Sequence, residues 1–443
     1  MKVTQYNTNQ YGAFIPASIQ PAVYAGGVKT AVPCGEASSG FWGFGVAITG
    51  SSCYNLAQME PEARTELLRS IYGGAGLGLQ VGRLSIGSSD YSAELYTYAD
   101  ADPAAFSIER DLDYIIPILR EILEINPNLK LLASPWSPPA WAKTGGSICG
   151  GYMRPEMVEA YAEYIVSYLK AYAEAGIPIA ALTPQNEPET DQRGQMPACG
   201  WQPDTEAKYV AALRRKLSEA GLSTEIWLYD HNFDGAERWV DWELSTFPDL
   251  KEQCNGVAFH YYHGCIEETL FLKEKYPALG LHFTEGGPRL YDHYDTDWCK
   301  WGMMLAKVLG CGYRSFNGWN LMLDETGGPN VGPFFCGGLV TRNRISGELS
   351  YSGQYAALRH FAPFVDGEAK VRPLSFGAQA QLMAYYPKQS MEVVGVLAEN
   401  ADGSAALMLV NPNDKKAQVQ FERGGQWWYI ELLPDTVATV TFE

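Results

Sequence analysis

The 443-residue chain contains no run of about 18 apolar residues, the length that a membrane-spanning helix requires. Its opening stretch, MKVTQYNTNQYGAF, has no apolar core of the kind a secretory leader carries. From these two absences we expect a cytoplasmic protein without integral membrane contact. Positive charge is scarce as well: 33 Lys and Arg stand against 51 Asp and Glu, a formal net charge of −18. Phosphate backbones are held by concentrated Lys and Arg, so no nucleic-acid partner is expected. The nine cysteines are odd in number and scattered from 34 to 336 without a C-x-x-C pair. That spacing argues against a disulfide framework and against a zinc ribbon, and fits thiols in a reducing compartment. No G-x-G-x-x-G or G-x-x-x-x-G-K-[ST] follows a candidate strand, and no G-x-S-x-G is present. Nucleotide binding and esterase chemistry therefore lack their usual local geometry. Low-complexity tracts and fixed 20–50-residue repeats are missing too.

What the chain has is apolar and aromatic material. Hydrophobic residues make up 46% and aromatics 13%, with 12 Trp and 27 Tyr. A disordered chain is excluded by that content. Flat aromatic faces suit stacking on sugar rings, although an ordinary aromatic core has the same composition, so the sites must decide. The length accommodates one domain of about 250–300 residues and a smaller one of roughly 100.

From residue 41 to about 320, short β-like runs alternate with amphipathic helices. The strand candidates are Phe44–Ile48, Leu79–Ile86, Leu129–Ser134, Ile179–Gln185, Glu225–Asp230, Val257–Tyr261, Leu281–Thr284 and Arg314–Asn320. Eight strands with intervening helices predict an α/β fold, a (β/α)₈ TIM barrel, with a doubly wound open sheet as the rival. One predicted helix spans 107–125, capped by Ser107, with Leu112, Ile115, Ile116, Leu119, Ile122 and Leu123 as its apolar stripe. Another, near 156–175, shows Met157, Tyr161, Ile165, Leu169 and Tyr172 on one face and stops at Gly176 and Pro178. Beyond residue 365 the texture becomes alternating strands broken by Gly, Asn, Asp and Pro: Lys370–Phe376, Leu382–Tyr386, Glu392–Leu397, Ala405–Val410, Ala417–Phe421, Gln426–Leu433 and Thr436–Phe442. These predict a smaller antiparallel β-sandwich, which the strand-like Ala22–Val32 could complete. The expected division is 1–40 as an N-terminal segment contributing to the sandwich, 41–364 as the barrel and 365–443 as the C-terminal sandwich.

In such a barrel the chemistry sits where strands end. The fourth strand ends Thr183-Pro184-Gln185-Asn186-Glu187-Pro188, and the seventh ends Phe283-Thr284-Glu285-Gly286-Gly287. Each places a glutamate just past an apolar run, beside a Pro or Gly that sets the backbone. Two carboxyl groups flanking a glycosidic bond are what its cleavage requires: one protonates the leaving oxygen, and the other attacks the anomeric carbon or activates water. Strands four and seven lie on opposite sides of a closed eight-stranded mouth. Other strand ends add Asp90 and Tyr91, Trp136 and Trp141, His260 with Tyr261, Tyr262 and His263, and Trp319. A carboxylate such as Asp90 can accept two sugar hydroxyls, and a Trp can stack on a sugar's C–H face. His260 and His263 near Cys265 make only a weak metal pattern, because a strand points alternate residues to opposite faces; no metal and no cofactor are expected.

Seven segments together resemble glycoside hydrolase family 30, and especially its glucosylceramidase-like branch. They are GFGVAITGSS (43–52), LYTYAD (95–100), LLASPWSPPAWAKT (131–144), TPQNEPE (183–189), FHYYHG (259–264), FTEGG (283–287) and WNLMLDETGGPN (319–330). The resemblance covers the whole barrel and implies a (β/α)₈ barrel with a β-sandwich built from both chain ends. It implies retaining hydrolysis, with Glu187 matching the acid/base and Glu285 the nucleophile. Asp90, Trp136, Asn186 and Trp319 match positions that hold the sugar, and Tyr262 matches a tyrosine that hydrogen-bonds the nucleophile. On these roles Glu187 should have a raised pKa from apolar surroundings and from Glu285, while Asn186 could hold the 2-hydroxyl. The chain departs from the glucosylceramidases at Tyr261, where they have Trp, and at Val331–Cys336, where they carry Trp and Asn. Both departures are expected in loops that would line the aglycone side or the pocket rim.

The function expected is therefore a retaining exo-β-glycosidase, a β-glucosidase with glucosylceramidase-like hydrolysis of β-glucosides by double displacement, and with it a place in sphingolipid metabolism. Endo-β-1,6-glucanase, β-xylosidase and β-fucosidase activities are the alternatives within the class. From another class comes a non-catalytic carbohydrate-binding protein. The partner expected is a β-linked glycoside, and no feature sets an oligomeric state.

Overall fold

The computed structural model describes residues 2–376 and 393–442. Eight strands close a parallel barrel: Gly43–Ala47, Val81–Ile86, Lys130–Pro135, Ala181–Leu182, Glu225–Asn232, Gly256–His260, Gly280–Glu285 and Ser315–Gly318. Each pairs with the next, and the eighth returns to the first, Asn317 opposite Gly45. That closure excludes the open-sheet alternative. All eight predicted strands are present, with ends shifted by a few residues, and the fourth is reduced to two residues.

The helices cover the barrel for ordinary reasons. Pro203–Glu219 starts with Pro at its first position and has Asp204 and Glu206 in its first turn, where negative charge favours the helix dipole. Tyr209, Val210, Leu213 and Leu217 are buried, and Tyr209 stacks on Tyr161 of helix Val158–Glu174 at 5.2 Å. Each such fully buried side chain contributes roughly 1.5–3 kcal/mol.

The predicted helix 107–125 is broken. A 3₁₀ turn at Glu109–Leu112 precedes the α-helix Ile115–Ile125, and Leu112 is 50% exposed instead of joining the apolar stripe. The cause is Asp111, whose buried carboxylate accepts the hydroxyls of Tyr96, Tyr98 and Tyr172 and turns the segment away from a helical path.

Besides a small sheet of Met322–Asp324, Val340–Arg342 and Leu349–Tyr351, two larger sheets stand beside the barrel among the described residues. One has seven strands, ordered Gly12–Ser18, Val3–Asn9, Thr436–Phe442, Ala405–Asn411, Val394–Glu399, Lys370–Ser375 and Val32–Pro33. The other has four: Pro21–Ala22, Gln426–Leu432, Ala417–Arg423 and Lys29–Thr30. Leu407, Leu409, Val419, Phe421, Trp428, Ile430 and Val440 form the core between them. The expected Ala22–Val32 strand is instead three two-residue bridges divided between both sheets, and Lys29–Thr30 pairs in parallel. The N-terminal hairpin Val3–Asn9/Gly12–Ser18 was not among the predicted strands. The expected strand Leu382–Tyr386 and residue 392 lie outside the described residues. Gly302, in helix Trp298–Gly310, packs on Val410 and Val437; His360, in helix Gly353–Phe361, meets Thr8 and Thr439 Oγ1 at 2.7 and 3.0 Å. The barrel is thereby joined to both chain ends.

The barrel interior is layered. Leu132, Ala181, Trp227 and Ala258 form the floor, and Trp227 stacks on His282 at 3.4 Å. Above them is a polar layer of Arg83, Ser134, Thr183, Asp230 and Thr284, all buried. It carries the groups at the mouth.

Candidate active site

Arg83, from the second strand, is the centre of that layer. Its Nη1 donates to Glu285 Oε2 at 2.6 Å, and its Nη2 to Asp230 Oδ2 and Asn186 Oδ1, both at 2.8 Å. Burial alone would weaken its charge, but Asp230 and Glu285 beside it raise its pKa above the ordinary value. Asp230 also accepts from Ser134 and Thr183, and its other oxygen from Thr284 at 2.6 Å. Burial opposes its ionisation, yet Arg83 and His260 hold it far below the usual carboxylate range.

Glu187 and Glu285 stand above this layer. Glu187 has φ +50°, and its amide donates to Asp230 O at 3.1 Å. The preceding Gln185 donates to the carbonyls of Trp136 and Asn186, at 2.6 and 2.9 Å. Glu285 follows its strand into Gly286-Gly287. A Cβ on Gly287 would sit 2.7 Å from Trp319 Cβ, so glycine there admits Trp319 to the site. Tyr262 OH donates to Glu285 Oε1 at 2.9 Å. Burial and the Glu285 charge raise the Tyr262 pKa, which keeps the hydroxyl a donor.

His260 joins the carboxylates. Its Nδ1 is 3.1 Å from Glu187 Oε1, and its Nε2 is 3.1 Å from Asp230 Oδ1. Only an imidazolium donates to both, and although burial opposes the charge, Glu285, Asp230 and Glu187 raise the pKa to about 9. The site therefore differs from expectation at Glu187. Burial favours its neutral form, but positive charge on His231, the hydrogen bond and charge of His260, and Arg83 outweigh it and hold the carboxyl down, at about 2. His231 is itself pushed down by burial, with the His260 charge adding to this. Near neutral pH the lowering therefore falls mainly to His260. The apolar surroundings expected for Glu187 are in fact two imidazoles, and the acid proton is held by the Glu187–His260 pair.

A carboxylate oxygen of Glu187, one of Glu285 and a ring nitrogen of His260 lie within 4.8 Å of one another. These three are of a type that can ligate a cation, but a doubly protonated His260 offers no lone pair and Arg83 already neutralises Glu285. The earlier pairing of His260 with His263 does not form a site: His260 is in the carboxylate cluster and His263 is at the rim.

The other predicted residues converge on one cavity of about 400 Å³, lined by Asp90, Trp136, Asn186, Glu187, Tyr262, Glu285 and Trp319 among others. Trp136 and Trp319 stack on each other at 5.0 Å, with the Arg83 guanidinium 4.8 and 5.6 Å from the two rings. Asp90 is buried, and its Oδ1 has no partner among the described residues. Burial, followed by the charges of Glu285 and Glu187, pushes its pKa well up. Such an acceptor suits a hydroxyl of a bound ligand. Trp141 lies outside the cavity, donating to Ala99 O at 2.9 Å. Arg83, Asp230, His231 and Gln192 were missed by sequence reasoning. A lone Arg in the apolar strand Val-Gly-Arg-Leu-Ser-Ile was a signal for the first, since a buried charge requires a partner.

The sequence model of the Glycosyl hydrolase family 30 TIM-barrel domain matches residues 41–365. The chain is 28% identical over 467 residues to the Endo-1,6-beta-D-glucanase BGN16.3 of Trichoderma harzianum, covering 95% of this chain and 90% of that protein. It is 25% identical over 398 residues to the lysosomal acid glucosylceramidase of Mus musculus, covering 83% and 74%. Among solved structures, the endo-beta1,6-glucanase BT3312 superposes with a TM-score of 0.86 at 29% identity, over 99% of this chain and 98% of that one. Among the described residues no helix is long and apolar enough to cross a membrane.

Proposed function

The chain belongs to glycosyl hydrolase family 30 and hydrolyses glycosidic bonds, and from that premise we propose that it is a retaining β-glucosidase in which Glu285 is the nucleophile and Glu187 the acid/base. The observation that carries this reading is the approach of the two carboxylates in one cavity, one oxygen of Glu187 and one of Glu285 lying within 4.8 Å of each other. Retaining enzymes hold their carboxyl groups about 5–5.5 Å apart, and inverting ones about 6.5–9.5 Å. In the first step Glu285 forms a bond to the anomeric carbon as the glycosidic C–O bond breaks, and Glu187 gives its proton to the leaving oxygen. In the second, water attacks the same carbon, Glu187 takes the water's proton, and the Glu285 ester bond breaks. Arg83 and Tyr262 aim the two Glu285 oxygens, while Asp90 is an acceptor and the Asn186 amide N–H a donor for sugar hydroxyls, the Asn186 oxygen being taken by Arg83.

A second reading, endo-β-1,6-glucanase, has support of its own. The Trichoderma enzyme and BT3312 are matched over almost their entire lengths, the glucosylceramidase over about three quarters. The test is a panel of p-nitrophenyl β-glucoside, β-xyloside, β-fucoside and β-galactoside beside a β-1,6-glucan, with the first-formed anomer followed by NMR. A β-anomer from a glucoside, lost in Glu285→Gln, is the expected result. An α-anomer, or a Glu285→Gln variant keeping more than a few per cent of the rate, would sink the proposal. Release of oligosaccharides from the glucan with silence on the aryl glucoside would establish the second reading.

A further inference from the structure

Glu187 lies in a loop that is costly to build. Glu187 itself, Gln192 and Arg193 are three non-glycine residues with φ of 50°, 49° and 53°, and Gly194 follows at 68°. Left-handed backbone costs roughly 1–2 kcal/mol per non-glycine residue and is ordinarily visited singly, so Gln192 and Arg193 in succession are an expense the fold must offset. The surroundings enforce it. Thr190 Oγ1 accepts from the Gln192 amide and Asp191 Oδ1 from the Arg193 amide, both at 3.0 Å. Gly150 packs so closely that a Cβ there would lie 2.8 Å from Gly194 Cα.

The product of this turn is the placement of one side chain. Gln192 Nε2 donates to Glu187 Oε2 at 3.1 Å, while His260 holds Oε1. Gln192 also lines the cavity, as do Thr190, His231, Asn232 and His263. These side chains present hydroxyl, amide and imidazole groups, and Trp136, Trp319 and Phe334 add aromatic faces to the same cavity. An amide carries two N–H donors and one acceptor. One donor is used on Glu187, which leaves a donor and a carbonyl at the rim.

We infer that Gln192 is a positioning and specificity-determining residue for the leaving group: one N–H aligns Glu187 Oε2 for proton transfer, and the rest of the amide binds a hydroxyl of a sugar leaving group. The inference rests on Glu187 being the acid. It also selects among aglycones, because a long alkyl chain offers the Gln192 amide nothing to pair with.

The test compares two glucosides. 2,4-Dinitrophenyl β-glucoside has a leaving group that departs without a proton and bears no hydroxyl; a β-1,6-linked glucose disaccharide needs both. In Gln192→Ala, kcat/KM on the disaccharide should fall about thirtyfold further than on the dinitrophenyl glucoside, the range expected for a hydrogen bond to a charged group. Arg193→Gly, outside the cavity, should relieve the left-handed strain, melt higher than wild type and keep the wild-type ratio between substrates. Equal losses on both substrates, or no extra loss on the disaccharide, would overturn the inference. So would a wild-type enzyme that cleaves the aryl glucoside and ignores the disaccharide. A wild type inert on both would instead remove the β-glucosidase reading first, and this inference with it.

Discussion

Arg83 and Glu285 form an ion pair at 2.6 Å in which the guanidinium is wholly buried and the carboxylate nearly so. The same guanidinium holds Asp230 and Asn186, so one residue of the second strand fixes groups from the fourth, fifth and seventh. The nucleophile's orientation is thus set from below by a cation that never needs to meet substrate.

Arg83→Lys tests this arrangement. Lysine keeps the charge but has no planar fork to reach three acceptors. We expect kcat/KM on an aryl β-glucoside to fall about a hundredfold, the effect of losing one charge-assisted hydrogen bond of about 2–3 kcal/mol. Arg83→Met should do worse and should destabilise the fold by about 3–5 kcal/mol, since it strands buried Asp230 and Glu285. Steady-state kinetics with calorimetric melting separates the two effects. Activity within twofold of wild type in Arg83→Lys would remove the fork from the mechanism.

His260 determines the pH response. Its pKa is raised to about 9 in the folded protein, against about 6.5 for a free imidazole. Its contribution to stability is therefore fully present below pH 6.5 and is lost as pH rises through 9. The pair it forms with Glu187 also holds the acid proton, so the alkaline limb of kcat/KM should lie near 9. In His260→Gln only the carboxyl can hold that proton, and the alkaline limb should drop into the carboxylic range. Melting curves and pH–rate profiles of both proteins check the sign. An unmoved alkaline limb would assign the proton elsewhere.

Tyr262→Phe removes the donor at 2.9 Å from Glu285 Oε1 while leaving Arg83 on Oε2. The ring packs beside Tyr261 at 4.8 Å and should stay in place. A loss of about 10- to 100-fold in kcat/KM is expected, with retention of anomeric configuration unchanged. Rates equal to wild type would mean that Arg83 alone orients the nucleophile.

The parts legible in the sequence were those whose signal is local. Eight apolar runs, each followed by helix, announced the barrel, and Glu187 and Glu285 stood out because each ends such a run. The arrangement around them depends on pairings between distant segments. Arg83 and Asp230 are 147 residues apart and are explained only by each other. His260 read as half of a weak metal pattern because its partners, Glu187 and Asp230, lie on other strands. The hairpin Val3–Asn9/Gly12–Ser18 is polar enough to pass for loop, and it becomes sheet only by pairing Val3 with Phe442. The 107–125 segment has a helical period throughout, and what breaks it is the set of three tyrosine hydroxyls on Asp111.

That last cluster yields a prediction about how the Asp90 loop is held. Tyr96 and Tyr98 lie on the segment after Asp90, and Ser88 is bonded to Tyr96 through both backbone and side chain. Burial raises the Asp111 pKa, partly countered by the three tyrosine hydroxyls. An ionised carboxylate is therefore not strongly favoured there, and a carboxamide, whose oxygen can take the Tyr98 and Tyr172 hydroxyls while its NH2 donates to the Tyr96 oxygen, should serve nearly as well. Asp111→Asn should cost about 1 kcal/mol and leave activity close to wild type. Asp111→Leu leaves three buried hydroxyls without their acceptor, each at about 1–3 kcal/mol, so it should lower the melting temperature far more. Because the loop carries Asp90 to the cavity, the leucine variant should also raise KM for glucosides, while kcat changes less. Thermal melts and saturation kinetics on the two variants decide the matter: equal destabilisation by Asn and Leu would show that the charge itself, and not the acceptor geometry, holds the loop.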